Sequence, residues 1–265
     1  MLTLRRSIAA LSAAVLTPWT AHAASSADYR LEALARGDCE QTVKTLQAGL
    51  DAKDPEALYS AGRLYDEGAC VKQDTATAAQ LWLQAAKAGH QAARLAVAVK
   101  VGLGEGVDQD YALAGSLLRG GELPVKVSGE VNDYTLGYAF TALRTMQHDF
   151  QYPSALADQR VIGSAEIRFA TKDSAFEFGT FRRSANSDQP PVGTRVDRAR
   201  TPMAQAFEVA ARSALSRMKK PDPAQLSAAQ VSERLAFGPN ESDLKLPNAS
   251  GIDMNVLRAG GLRLQ

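Results

Sequence analysis

The chain predicts an α+β protein of two domains, an N-terminal α-helical repeat segment (a short solenoid) followed by a small domain with a three-stranded antiparallel sheet packed by helices. Three observations predict it. A block of the first half recurs after 36 residues, the mark of stacked supersecondary units. Residues 164–169 and 175–183 alternate apolar with polar, the period-two signature of half-buried strands. Met203, Ala206, Phe207, Ala210, Ala214 and Met218 then fall at helical spacing, and Val231, Leu235 and Phe237 mark a third strand.

The chain opens with Arg5 and Arg6, an apolar run over residues 7–16, and then Ala21-His22-Ala23. This order predicts a secretory signal peptide, residues 1–23, cleaved after Ala23. The apolar run falls short of the ~20 residues that span a bilayer, so no stable membrane span is expected once the signal is removed. The predicted address is the periplasm. Of 265 residues, 45% are hydrophobic and 22% charged, which excludes disorder throughout and repeated membrane spans. Without Arg5 and Arg6 the mature chain is close to neutral, with 28 basic against 29 acidic residues. That balance carries no nucleic-acid footprint. Cys39 and Cys70 are the two cysteines, and an even pair in an oxidising compartment predicts a disulfide, with two buried free thiols as the other reading.

Residues 28–121 carry the repeat. Gly68-Ala-Cys70-Val71-Lys-Gln-Asp74 aligns with Gly104-Glu-Gly106-Val107-Asp-Gln-Asp110. Asp74 and Asp110 are expected to cap the second helix of each pair, while Val71 and Val107 return the loop to the core. The full pattern, Ala-Leu-Tyr-x-x-Gly-x-Leu-Tyr-x-x-Gly, then Val-x-x-Asp, then Trp82, Ala86 and Gly89, resembles the Sel-one-like repeat, a relative of the tetratricopeptide repeat. The second copy is eroded, with Val101, Leu118 and Gly121 in the places of Tyr65, Trp82 and Ala85. Upstream, Asp38 and Leu46 precede Asp74 and Trp82 by the same 36 residues, so half a repeat stands in front.

Residues 122–150 are expected to connect the two parts. Asp133 opens a helix with Leu136, Phe140 and Leu143 on one face, either a seal between separately folded domains or the last helix of the solenoid.

Residues 151–238 begin with Tyr152-Pro153, a short helix that Pro153 can open, then Gly163 and the alternating strand ending in Phe169. This order and spacing resemble the C-terminal domain of TonB, the periplasmic energy transducer, with Tyr152, Pro153 and Gly163 as the matching motif. Lys172-Asp173-Ser174 stands where the family has an Asp-Gly turn, a loop is inserted over residues 185–202, and the Pro-rich spacer of TonB is missing. The resemblance implies that the third strand, Gln230, Val231, Ser232, Glu233, Arg234, Leu235, Ala236 and Phe237, is an open edge. A partner protein, outer-membrane or periplasmic, would add an extended segment there as a further strand, in service of transport across the outer membrane. Val231, Leu235 and Phe237 are expected to face the core, Ser232 and Arg234 to face out, and Glu233 to guard the edge from an inward position. Residues 239–265 lack a sustained period and read as an irregular tail.

Catalytic chemistry is not expected. Past Ala23 the histidines are His90 and His148, neither in a nucleophile or metal motif, and no phosphate-binding glycine loop occurs. No cofactor is expected either. The alternatives are a secreted small-ligand binder, since relatives of the Sel-one-like repeat include β-lactam-binding secreted proteins, and a purely structural envelope protein. Mass spectrometry of the envelope form should find the N-terminus at Ala24; a full-length chain in the membrane fraction would instead restore a force-transducing reading.

Overall fold

A computed structural model describes residues 38–157, 163–182 and 202–237. The signal peptide with Ala23, the inserted loop and the tail lie outside the described residues. Five helices come first: α1 (Cys39–Asp51), α2 (Pro55–Glu67), α3 (Thr75–Lys87), α4 (Gln91–Leu103) and α5 (Tyr111–Arg119). After them come β1 (Lys126–Ser128), α6 (Asp133–Asp149), α7 (Ser154–Ala157), β2 (Gly163–Ala170), β3 (Ala175–Arg182), α8 (Pro202–Arg217) and β4 (Gln230–Phe237). The fold is α+β.

The first helices start and stop where their sequence says. Carboxylates of Asp38, Asp54, Asp74 and Asp110 accept from the free first-turn N–H groups of α1, α2, α3 and α5. His90 replaces aspartate at the start of α4. Gly68 and Gly104, both left-handed at φ 68° and 73°, end α2 and α4. After each, the chain ties back identically: the Asp74 N–H donates to Tyr65 O at 2.9 Å, and the Asp110 N–H to Val101 O at 3.0 Å. Trp82 is 5% exposed and donates its indole N–H to Tyr59 O at 3.0 Å, lying flat over Gly62, where any Cβ would collide with the ring.

The Cys39–Cys70 disulfide is present, with Cα atoms 5.0 Å apart. Its place in the pattern explains it. Cys70 sits at φ 63°, and the residue 36 positions later, Gly106, sits at φ 75° with its missing Cβ directed at Thr75. Thr75 is in turn the counterpart of Cys39. The disulfide therefore makes covalent a contact that the next loop makes by close packing. Closing this loop contributes about 3–4 kcal/mol in the chain-entropy model.

Helix α6 departs from expectation. Rather than burying one stripe, it is buried continuously from Thr135 to Met146, as a helix enclosed on all sides must be. Its backbone lies directly on α5: a Cβ on Gly137 would collide with Tyr111 O, and one on Gly115 with Asp133 O. Gly102 of α4 gives Thr141 the same close seat. The opposite side of α6 meets α8 and the sheet. One core cluster accordingly runs from Leu95, Tyr111 and Leu118 through Leu136, Phe140, Leu143 and Met146 to Ile167, Phe169 and Phe207. The helix expected to connect the two parts is thus the middle of one apolar cluster that both of them share. A helix with small or apolar residues all round needs both halves to cover it.

The sheet has four antiparallel strands, not three, in the order β1-β4-β2-β3. Ala165, Ile167 and Phe169 of β2 are fully buried, as their alternation predicts. Phe178 of β3 stacks on Phe207 of α8 with centroids 5.2 Å apart, and Phe150 on the same ring at 4.5 Å. The added strand, β1, pairs Lys126, Val127 and Ser128 with Ser232, Val231 and Gln230. Pro124, just upstream, has no N–H to continue that ladder.

Gly137→Ala tests the α5–α6 seat. Urea unfolding should show a loss at the upper end of the ~1–3 kcal/mol typical of overpacking, and a loss within error of zero would mean that the helices do not touch at this point.

Candidate functional site: the β4 edge and the helix beneath it

β4 is flanked unequally. On one side β2 pairs with all eight of its residues, Gly163 opposite Phe237 through Ala170 opposite Gln230. On the other, β1 pairs with Gln230, Val231 and Ser232 and stops, so residues 233–237 have no outer partner strand among the described residues. The expected open edge along all of β4 is corrected: its first three residues are already covered. Of Tyr152, Pro153 and Gly163, it is Gly163 that lies at this end of β4. The Tyr152 hydroxyl donates to Leu156 O at 3.2 Å, Pro153 O accepts the Leu156 N–H at 3.0 Å, and Gly163 opens β2 opposite Phe237. These motif residues shape the turn and the sheet's end. Cys39 and Cys70 belong to the first helices and not to this edge.

The β4 side chains alternate as expected where they are described. Val231 is fully buried and Leu235 is 8% exposed, while Arg234 is exposed; the side chains of Ala236 and Phe237 lie outside the described residues. Glu233 does point inward, and its partner is one that the sequence did not suggest. Arg144 of α6 holds Glu233 Oε1 at 2.8 Å, with both side chains over nine-tenths buried. Gln147 donates to Glu233 Oε2 at 2.7 Å and accepts from the same Arg144 nitrogen at 2.6 Å. The guanidinium lies 4.9 Å from the Phe140 ring centre. Its Nε and Nη2 are buried with no hydrogen-bond partner among the described residues; a buried group left so costs on the order of 1–3 kcal/mol.

A second polar cluster ties the halves together. Lys100 bridges Asp66 and Glu105 at 2.7 and 2.9 Å, Arg217 bridges Glu105 and Asp149 at 2.9 and 2.7 Å, and Ser213 donates to Asp149 at 2.6 Å. Burial pushes the Glu105 and Asp149 carboxyls up. For Glu105 the Lys100 and Arg217 charges outweigh burial, and for Asp149 the hydrogen bonds from Ser213 and His148 and the charge of Arg217 do, so both settle below the ordinary range. Tyr111 adds a tie by donating to Lys219 O at 2.6 Å.

The two described histidines, His90 and His148, each meet a carboxylate. His90 Nδ1 accepts the Ala93 N–H at 3.1 Å, which assigns the proton to Nε2, 2.8 Å from Glu56 Oε2, and the ring stacks on Tyr59 with centroids 4.6 Å apart. That hydrogen bond holds the Glu56 carboxyl below its usual value. His148 contacts Asp149 at 3.1 Å. Among the described residues no group of three His, Cys, Asp or Glu could hold a metal ion. An open cleft between the loops after α2 and α4 is lined by Tyr65, Lys72, Asp74 and Gly106, and the Asp74 carboxylate there caps α3.

No family model matches this chain, and no curated protein or solved structure does.

The Arg217 bridge makes an acid prediction. Both carboxyls are depressed below their ordinary 4.5 and 3.8, so their stabilisation is present above those values and lost as the pH falls through the lower folded ones. Arg217→Met should cost up to about 1 kcal/mol at neutral pH, since the pairs are partly solvent-screened. The deficit relative to the parent should vanish in acid. A difference that persists unchanged to the lowest pH at which the protein stays folded would show that Arg217 acts by packing and not by charge.

Proposed function

We propose that this protein is a non-enzymatic periplasmic interaction module, exported through a cleaved signal, that binds an envelope partner by taking an extended segment of it as a strand on β4. The observation that carries this reading is that β1 pairs with Gln230, Val231 and Ser232 alone, so that among the described residues no strand lies outside β4 over residues 233–237, at the end of the sheet where Gly163 meets Phe237. An unpaired strand edge leaves N–H and C=O groups in a row, which an extended peptide satisfies. The resemblance of the Tyr152, Pro153 and Gly163 segment to the TonB C-terminal domain supports the same mode, with an outer-membrane or periplasmic protein as partner and transport across the outer membrane as the process served. The Sel-one-like character of the first half supports a scaffold role for it, and α6, packed on both halves, makes that scaffold rigid beneath the edge. No helix among the described residues is long and apolar enough to cross a membrane, so a force-transducing role would need another element to supply the anchor.

The sheet's other margin also favours a docking mode: β3 has no outer partner strand among the described residues. Hydrogen exchange separates the two. A partner recovered from outer-membrane extracts should slow exchange of the β4 amides at residues 233–237 and leave β3 and α1 to α3 unchanged. Protection confined to β3 moves the site to that margin, and protection confined to the repeat helices overturns strand addition in favour of the small-ligand or structural reading.

A further inference from the structure

β1 occupies the part of β4 that an incoming strand would need, and several features mark it as a placeholder. It is three residues long, with Lys126 and Ser128 exposed and Val127 half-buried. Pro124 stands just before it, and Gly129, at φ 93°, turns the chain sharply just after it. Next to it, β4 keeps all eight pairings with β2.

The start of β4 is also held without β1. The Thr171 hydroxyl donates to Ser227 O at 2.7 Å and accepts the Ala229 N–H at 3.0 Å. The Ser227 N–H donates to Thr135 Oγ1 at 2.8 Å, and Asn132 Nδ2 to Gln225 O at 2.9 Å. These bonds pin residues 225–229 to α6 and to the β2–β3 turn. Lifting β1 away therefore frees three ladder positions on β4 without unmooring the strand itself.

We propose that β1 is a displaceable internal ligand: the partner's extended segment enters antiparallel to β4, first along residues 233–237, then replaces Lys126-Val127-Ser128 and covers the strand to Gln230. This rests on the strand-addition reading and extends it. The direction follows from β1 itself, which runs antiparallel to β4 and places Val127 opposite Val231. A displacing segment thus carries a Val-like residue at that register position, and residues N-terminal to it run on toward Phe237. Competition between a short tethered strand and a longer free one makes partner affinity depend on how firmly β1 is held, since a site open only part of the time binds in proportion to that fraction.

The probe is a fluorescent peptide, Thr-Val-Thr-Val-Thr-Lys-Val-Ser, in which the β1 sequence is preceded by residues long enough to reach Phe237. Lys126→Cys with Ser232→Cys joins two residues that face each other in the register and locks β1 in place when oxidised. The oxidised form should bind the peptide about tenfold or more weaker than the parent, and reduction should restore binding. The parent protein with and without reductant controls for the Cys39–Cys70 bond. Val127→Pro, which cannot keep the ladder, should bind about tenfold tighter. If the locked protein binds as tightly as the parent while the amides of residues 233–237 become protected, β1 is not displaced and the inference fails, although strand addition stands. A peptide that protects no β4 amide in the parent or in Val127→Pro overturns both.

Discussion

The structure depends on two glycines. Where Gly137 of α6 faces Gly115 of α5, helix backbones approach so closely that a single methyl on either would strike a carbonyl oxygen of the other helix. Glycine is a poor residue for a helix interior, about 1 kcal/mol worse than alanine, and the gain that offsets this is position. With α5 drawn in, Tyr111 sits edge-on to both Tyr134 and Tyr138, and Tyr138 in turn to Phe169 of the sheet. An aromatic chain thereby runs from the last repeat helix into the strands. Everything in the second half, the edge of β4 included, is oriented by how α6 seats on α5.

This seating makes the two halves one body. Sheet, α8 and the last repeat helices share apolar surface through α6, and the Asp66–Lys100–Glu105–Arg217–Asp149 bridges lace the exterior of the same junction. Under β4, by contrast, the arrangement is costly: a guanidinium with two nitrogens unserved among the described residues sits beneath the strand that β1 covers over three residues. The molecule is most deeply packed along α6 and least so at the sheet margin.

Much of this was legible in the sequence, for physical reasons that separate what was seen from what was missed. The helix caps at Asp74 and Asp110, the disulfide, and the inward faces of β2 and α8 are all local rules written within a few residues or within the 36-residue spacing. β1 escaped because a strand of three residues between a proline and a glycine has no period to read. The enclosure of α6 escaped because Gly137, Thr141 and Thr145 look like a polar face, and only the close approach of α4 and α5 makes them interior. Glu233 was read as a guard for want of a partner, and Arg144 lies on a helix far back in the chain.

The short β1 has a further consequence, in the entropy of closing the chain. Helices α1 to α5 each pack on the next helix in the chain, so their contacts close small loops. β1 pairs with β4 across α6, the β2–β3 hairpin and α8, which makes it the contact of longest reach in the sheet. Closing so long a stretch of chain for three ladder positions gives β1 the largest entropic cost per pairing of any strand in the sheet.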